Sequence, residues 1–216
     1  MLPRLLTAAL HRFNATYPWD HNAHYHRWLL RQLPRRFRSA LDVGCGSGDL
    51  ARTLAPRAES VVGVDADPEI LASARELTGQ AACVTYTLCS APDGLPPGPY
   101  DVITCVAVLH HLPFAETLAR LRRELAPGGT LVVVGCARAA SRLDHAIGLA
   151  AIPLNALTGW LKNHGRPAPH RPVHDRTHPG ARDELRRGPA GGRPALPGAR
   201  FRRRLFWRYT LVWRAP

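Results

Sequence analysis

The chain has 216 residues, of which 45% are hydrophobic and 21% charged, enough for one domain with a full core and with no second domain required. Its formal charge of +13 is unevenly spread, with +6 in residues 1–40, −4 in residues 41–161 and +11 in residues 162–216. The longest uncharged run, 146–161, is too short to span a bilayer and is interrupted by Gly148, Pro153, Asn155 and Gly159, so no transmembrane helix is expected.

Lys162 is the only lysine, so nearly all the positive charge is arginine, a bias that a GC-rich genome produces without any function behind it. A nucleic-acid partner therefore stays open beside a solvated basic surface and an anionic small substrate. Met1 to Leu10 makes a poor signal peptide, because its apolar run is broken by Pro3 and Thr7. Cys45, Cys83, Cys89, Cys105 and Cys136 are odd in number and form no C-x-x-C pair. Reduced core thiols in a cytoplasmic protein are expected.

In chain order, residues 1–13 place Leu2, Leu5, Leu6, Ala9, Leu10 and Phe13 at helical spacing, as an amphipathic segment covering the core does. A dense aromatic and polar segment follows, with Tyr17, Trp19, His21, Asn22, His24, Tyr25 and His26, and a helix from about His24 to Leu33 closes at Pro34. Next comes Leu41-Asp42-Val43-Gly44-Cys45-Gly46-Ser47-Gly48-Asp49-Leu50, an apolar strand running into a glycine turn and a helix start. Glycines at 44, 46 and 48 remove three β-carbons, so a ligand can lie directly against the backbone. A dinucleotide fingerprint would place its third glycine one position later, where Asp49 stands. Asp42 would also repel a pyrophosphate docked on the following helix. Both features argue against NAD and suit a phosphate-free ligand with a cationic amine at this end, such as S-adenosylmethionine.

The stretch resembles the glycine-rich motif of the class I S-adenosylmethionine-dependent methyltransferases. Further along, Val61-Val62-Gly63-Val64 reads as a second parallel strand ending in Asp65, about twenty residues past the glycines, where a carboxylate can accept both ribose hydroxyls. Ala66 is small enough to lie against an adenine, and Asp67 caps a helix from Pro68 to Leu77. A third strand, Cys83 to Leu88, leads to Ser90, where family members commonly carry an acid that accepts from the adenine amino group. After a Pro- and Gly-rich loop, residues 92–99, a fourth strand runs to Val108 and ends in Leu109-His110-His111-Leu112. That ending resembles the post-strand motif of ubiquinone/menaquinone-biosynthesis methyltransferases. A helix from Pro113 to Leu125, the turn Ala126-Pro127-Gly128-Gly129 and the strand Thr130 to Val134 continue the resemblance, which runs from residue 41 to about 136.

Residues 144–161 read as helical in part and broken near Pro153, and residues 167–198 as an irregular mobile loop with a short helix around 181–187. His170, His174 and His178 are spaced four apart, but prolines at 169, 172 and 179 break the helix that would align them, so no metal is expected. Arg200 to Leu205 and Arg208 to Trp213 alternate as two antiparallel strands closing the sheet.

The resemblance implies an α/β fold, a Rossmann-like three-layer α/β/α sandwich with a mostly parallel seven-stranded sheet and an antiparallel C-terminal hairpin. It divides the domain into a helical lid (1–40), a cofactor-binding core (41–136), a substrate-side insertion (137–198) and the hairpin (199–216). Asp42, Gly44, Cys45 and Gly46 would surround the methionine part of S-adenosylmethionine, Asp65 and Ala66 the ribose and adenine, Ser90 the adenine edge, and backbone around Val106 the sulfonium. His110 and His111 are the candidate proton acceptors, since imidazole titrates near neutral pH. Tyr17, Trp19, His21 and Tyr25 are the candidate lid and substrate contacts.

The expected reaction is methyl transfer to a small-molecule acceptor by in-line displacement. Two alternatives stand beside it: an RNA or DNA methyltransferase using the basic flanks, and a non-catalytic S-adenosylmethionine-binding protein. A base-modifying enzyme often carries Asn/Asp-Pro-Pro-aromatic after the fourth strand. Here that place reads Val108-Leu109-His110-His111, which disfavours the nucleic-acid version.

Overall fold

Strand residues alternate between two sheet faces, and in this chain both faces are apolar, which is the pattern of a parallel sheet covered on both sides. The computed structural model describes residues 2–80, 83–137, 141–168 and 195–216, with side chains from residue 8. Among them lie α1 (Leu2–Thr16), α2 (His21–Leu30), β1 (Phe37–Val43), α3 (Asp49–Leu54), β2 (Ala58–Asp65), α4 (Pro68–Thr78), β3 (Val84–Leu88) and β4 (Tyr100–Val106). They continue with α5 (Phe114–Arg123), β5 (Leu125–Cys136), α6 (Arg142–Lys162), β6 (Arg200–Arg204) and β7 (Arg208–Arg214).

The strands form one seven-stranded sheet in the order β3-β2-β1-β4-β5-β7-β6. β1 to β5 are parallel, and β7 enters antiparallel between β5 and β6. Leu41, Val43, Ile103, Cys105, Leu131 and Val133 point to one face and pack with Leu118 and Leu121 of α5. Their neighbours Ala40, Val102, Val132 and Val134 point to the other face and pack with Leu29 of α2 and with Leu50 and Leu54 of α3. The expected three-layer α/β/α architecture is what the chain forms.

Helix entries follow local chemistry. Asp67 accepts hydrogen bonds from the N–H groups of Glu69 and Ile70, with Pro68 in the first turn of α4. Asp20 does the same for Asn22 and Ala23, so α2 begins at His21 and ends at Leu30, a few residues before the span expected around His24 to Leu33. Tyr86 of β3 lies over the glycine turn: a β-carbon on Gly48 would stand 2.1 Å from its hydroxyl, and one on Gly63 2.7 Å from its ring. The Tyr86 hydroxyl is 2.8 Å from Thr78 Oγ1, which holds the ring in that place.

Three expectations are corrected. α6 is one continuous helix of 21 residues with Pro153 inside it, not a helix broken there. Proline removes only the bond to the carbonyl four residues back, Leu149, and both residues lie on the exposed side, where water can satisfy that oxygen. Ala126-Pro127-Gly128-Gly129 lies within β5 as a bulge, because Tyr100 pairs with Leu125 and Val102 with Thr130. Residues 195–199 are packed rather than mobile: Leu196 is buried in the core and Trp213 Nε1 donates to Pro197 O at 2.8 Å. His170, His174, His178 and the short helix expected at 181–187 lie outside the described residues.

Candidate active site

In an open α/β sheet, ligands bind beyond the carboxyl ends of the strands. Register puts the expected cofactor residues side by side along that edge. Val43 pairs with Val64 on one side and with Cys105 on the other, and Asp65 pairs with Leu88. The edge therefore reads Ser90 after β3, Asp65 and Ala66 at β2, Asp42 to Gly46 at β1, and Val106 to His111 at β4.

Asp42 is buried on β1 opposite Thr104 of β4, whose hydroxyl donates to Asp42 Oδ1 at 2.7 Å. Its Oδ2 is equally buried and has no hydrogen-bond partner among the described residues. Burial raises its pKa to about 7; the Thr104 bond opposes the rise and the Asp65 charge adds to it. Asp65 uses both oxygens to shape the turn: Oδ2 accepts from Gly46 N at 3.0 Å and Oδ1 from Asp67 N at 3.1 Å. Each carboxylate oxygen keeps a further lone pair. The N–H groups of Gly44 and Cys45 both donate to Val64 O, at 2.8 and 2.9 Å, which anchors the turn to β2.

Gly44 has φ +67, and a β-carbon there would lie 2.0 Å from Val108 Cγ2. Gly46 has φ +53, and its β-carbon would meet only Ile70 Cδ1 at 3.7 Å, so open space lies against the turn at this point. Cys45 is buried, and burial together with the two carboxylates pushes its thiol pKa up, so it stays a protonated thiol and no nucleophile. Ala66 and Ser90 are exposed. Past β4, Ala107 holds φ 57, and a 3-10 turn, Leu109–His111, follows. The rings of His110 and His111 stand 3.8 Å apart, centroid to centroid, and both side chains are half-buried.

The N-terminal candidates lie beside this edge on the hairpin side. Asn155 of α6 is buried; its Oδ1 accepts from Trp19 Nε1 at 3.0 Å and from His21 Nε2 at 2.7 Å, and its Nδ2 donates to Asn14 Oδ1 at 3.2 Å. Burial lowers the His21 pKa against the opposing Asn155 bond, so the ring is neutral at pH 7. Gly159 lets the Tyr17 carbonyl come close, since a β-carbon there would stand 2.4 Å from Tyr17 O. Phe206 is buried edge-on against Trp19 at 4.8 Å and His24 at 5.4 Å. Phe206 and Trp207 both hold φ 55 in the turn between β6 and β7. Such a turn ordinarily takes Asn and Gly, and here the burial of Phe206 offsets the strain. Tyr25 is buried, and its hydroxyl donates to Leu205 O at 2.7 Å. Asn155→Ala would leave the Trp19, His21 and Asn14 groups unpaired. It is expected to remove about 2–3 kcal/mol of stability and to speed amide exchange in residues 14–22, read by denaturant unfolding and hydrogen exchange.

Thr104, Tyr86, Asn155 and Phe206 were not expected at the site. Asn155 had a signal, as the one amide in the uncharged run 146–161.

Residues 41–133 match the family model described as a methyltransferase domain. An uncharacterized methyltransferase of Mycobacterium tuberculosis is 35% identical over 202 residues, spanning 92% of this chain and 98% of that protein. The chain belongs to the class I S-adenosylmethionine-dependent methyltransferases. A ubiquinone biosynthesis O-methyltransferase of Thiobacillus denitrificans is 35% identical over 51% of this chain and 54% of that protein. The N-methyltransferase NodS of Bradyrhizobium japonicum WM9, solved with S-adenosyl-L-homocysteine, shares the fold over 97% of both chains at a TM-score of 0.56 and 18% identity.

S-adenosylmethionine is the methyltransferase's cofactor, and the edge fits it. The unpartnered Asp42 Oδ2 suits a buried cationic amine, and the space against Gly46 admits a ligand to the backbone. No helix among the described residues is long and apolar enough to cross a membrane, and no group of three or more His, Cys, Asp or Glu among them is placed to hold a metal ion.

Proposed function

We propose that this methyltransferase acts on a small-molecule acceptor. The observation that carries the reading is the wall beside the carboxyl edge. Residues 14–24 are fastened to α6 through Asn155 and to the hairpin through Phe206, so a fixed wall of aromatic and polar residues stands beside the edge. The wall is the lid of residues 1–40, with Tyr17, Trp19 and His21 on the acceptor side and Tyr25 bracing it against Leu205. The partial likeness to ubiquinone biosynthesis O-methyltransferases supports the same class of acceptor.

Bound S-adenosylmethionine supplies an electrophilic methyl group on a sulfonium, open to in-line attack. Asp42 holds the amine through its unpartnered oxygen, Asp65 holds the ribose hydroxyls, Ala66 lies against the adenine and Ser90 meets its edge. Gly44, Cys45 and Gly46 supply backbone along the methionine part, and backbone at Val106 lines the reacting centre. The lid excludes water and positions the acceptor. Where the nucleophile is a hydroxyl, its proton must leave, and His110 or His111 takes it.

The test is a panel of candidate acceptors, with S-adenosylhomocysteine release as the readout. His110→Ala or His111→Ala at the general base is expected to lower kcat by ~10²–10⁴-fold while the cofactor Kd is unchanged. An orienting role would instead raise KM with kcat preserved. Tight, salt-sensitive binding to RNA or DNA in a gel shift, with methyl transfer to that nucleic acid, would overturn the small-molecule reading.

A further inference from the structure

α6 is oriented against the usual rule for a surface helix. Its inward side carries Ala151, Asn155 and Gly159, while its outward side carries the large apolar residues. Leu143 and Leu149 are each 69% exposed, Leu161 55% and Leu157 50%, with Leu154 and Trp160 also exposed on that side. At 100° per residue these positions fall on a single stripe running the length of the helix, about 30 Å at 1.5 Å per residue. Scattered exposed leucines need no explanation, but a continuous stripe of this length marks a contact surface.

The ends of the stripe are cationic. Exposed Arg142 opens the helix and exposed Arg166 stands just past its end, while Lys162 reaches to the inward side, its ammonium 5.0 Å over the Trp19 ring. The acid of α6, Asp144, pairs with Arg203 at 3.3 Å. An apolar stripe with a basic rim, on a helix that cannot cross a bilayer, is the chemistry of a helix lying in the interface of an anionic membrane. We infer that the outward face of α6 docks this methyltransferase on an anionic lipid surface.

Two other occupants fit less well. In a symmetric pair of copies joined through α6, the cationic end of one helix would face a cationic end of the other, whichever way the helices ran. Residues 169–194 contain only Val173 and Leu185 as large apolar side chains, too little to cover six.

The test is co-sedimentation of the full chain with vesicles of phosphatidylcholine alone and with about one-third phosphatidylglycerol. Binding is expected to the anionic vesicles and to weaken as salt rises. The triple variant Leu149→Asn, Leu157→Asn, Leu161→Asn is expected to lose it at least roughly tenfold, and Arg142→Glu with Arg166→Glu to lose the preference for anionic lipid. All five sites are exposed and away from the cofactor edge, so S-adenosylmethionine affinity in solution stays at the parent value and reports that both variants fold. No sedimentation of the parent with anionic vesicles would overturn the inference, as would equal binding by the triple variant. A parent dimer that the triple variant converts to monomer would assign the stripe to a second copy instead. The readout needs no methyl transfer, so it stands apart from the identity of the acceptor.

Discussion

Asp42→Asn is expected to weaken S-adenosylmethionine binding by roughly ten- to a hundredfold, the ~1.5–3 kcal/mol of a hydrogen bond to a charged group. The same substitution should leave the ligand-free protein at least as stable at neutral pH. The two effects have opposite signs because the unpartnered, buried Oδ2 is a liability until a cation reaches it. The titration follows from the same geometry. The Asp42 pKa is raised from 3.8 to about 7 in the ligand-free fold, so between these values the folded chain holds a proton that the unfolded chain has lost. Its contribution to stability is therefore present below about pH 4 and is lost as pH rises towards 7. The proposed amine contact needs the ionised form, so cofactor binding is expected to run the other way. Below about pH 7 it should release a proton, and affinity should fall as the solution becomes more acidic. Calorimetry at pH ~6 in buffers of different ionisation enthalpy measures that proton. No proton release by the parent, with unchanged affinity in Asp42→Asn, would remove Asp42 from the amine site.

Gly44→Ala is expected to cost about 2–5 kcal/mol of stability, ~1–2 from the left-handed backbone and ~1–3 from collision with Val108. At roughly 2–4 °C per kcal/mol for a chain of this size, Tm should fall by about 5–20 °C. The collision is specific, since the new β-carbon would lie 2.0 Å from Val108 Cγ2. Adding Val108→Ala removes both γ-carbons but keeps the β-carbon at 2.9 Å, so it should recover part of the packing loss and leave the backbone part. A Gly44→Ala protein that melts with the parent would mean that the turn at φ +67 relaxes freely, against its anchoring to Val64 O.

What could be read from the sequence was what neighbouring residues decide. The strands at 61–65 and 100–106 announce themselves by apolar runs, and Asp67-Pro68 announces the start of α4 two residues at a time. The sheet order and the carboxyl-edge placement of Asp42 and Asp65 then follow from the resemblance that these local signals carry. Contacts made across the chain left no such trace. Asn155 meets His21 from 134 residues away and Trp19 from 136, so its three hydrogen bonds exist only once α6 is docked. The Phe206-Trp207 turn is placed by the alternation of the strands on either side and not by its own residues, because two aromatic residues take a conformation suited to Asn-Gly when burial offsets the strain. Pro153 is the converse case, a local helix-breaking signal overridden because its missing bond faces water. The role of each site residue in turnover is proposed from this geometry.

Tyr86 occupies the volume that β-carbons on both Gly48 and Gly63 would need. Substitutions at these three positions are therefore ordered in time. A lineage that first replaces Tyr86 with a small side chain vacates the space, after which an alanine at Gly63 has only Cys45 Sγ, at 3.0 Å, to accommodate; the reverse order passes through an intermediate in which the phenol and the new methyl collide. Tyr86 acts as a ratchet on the glycines beneath it, and changes at this corner of the cofactor turn become accessible only through the third strand.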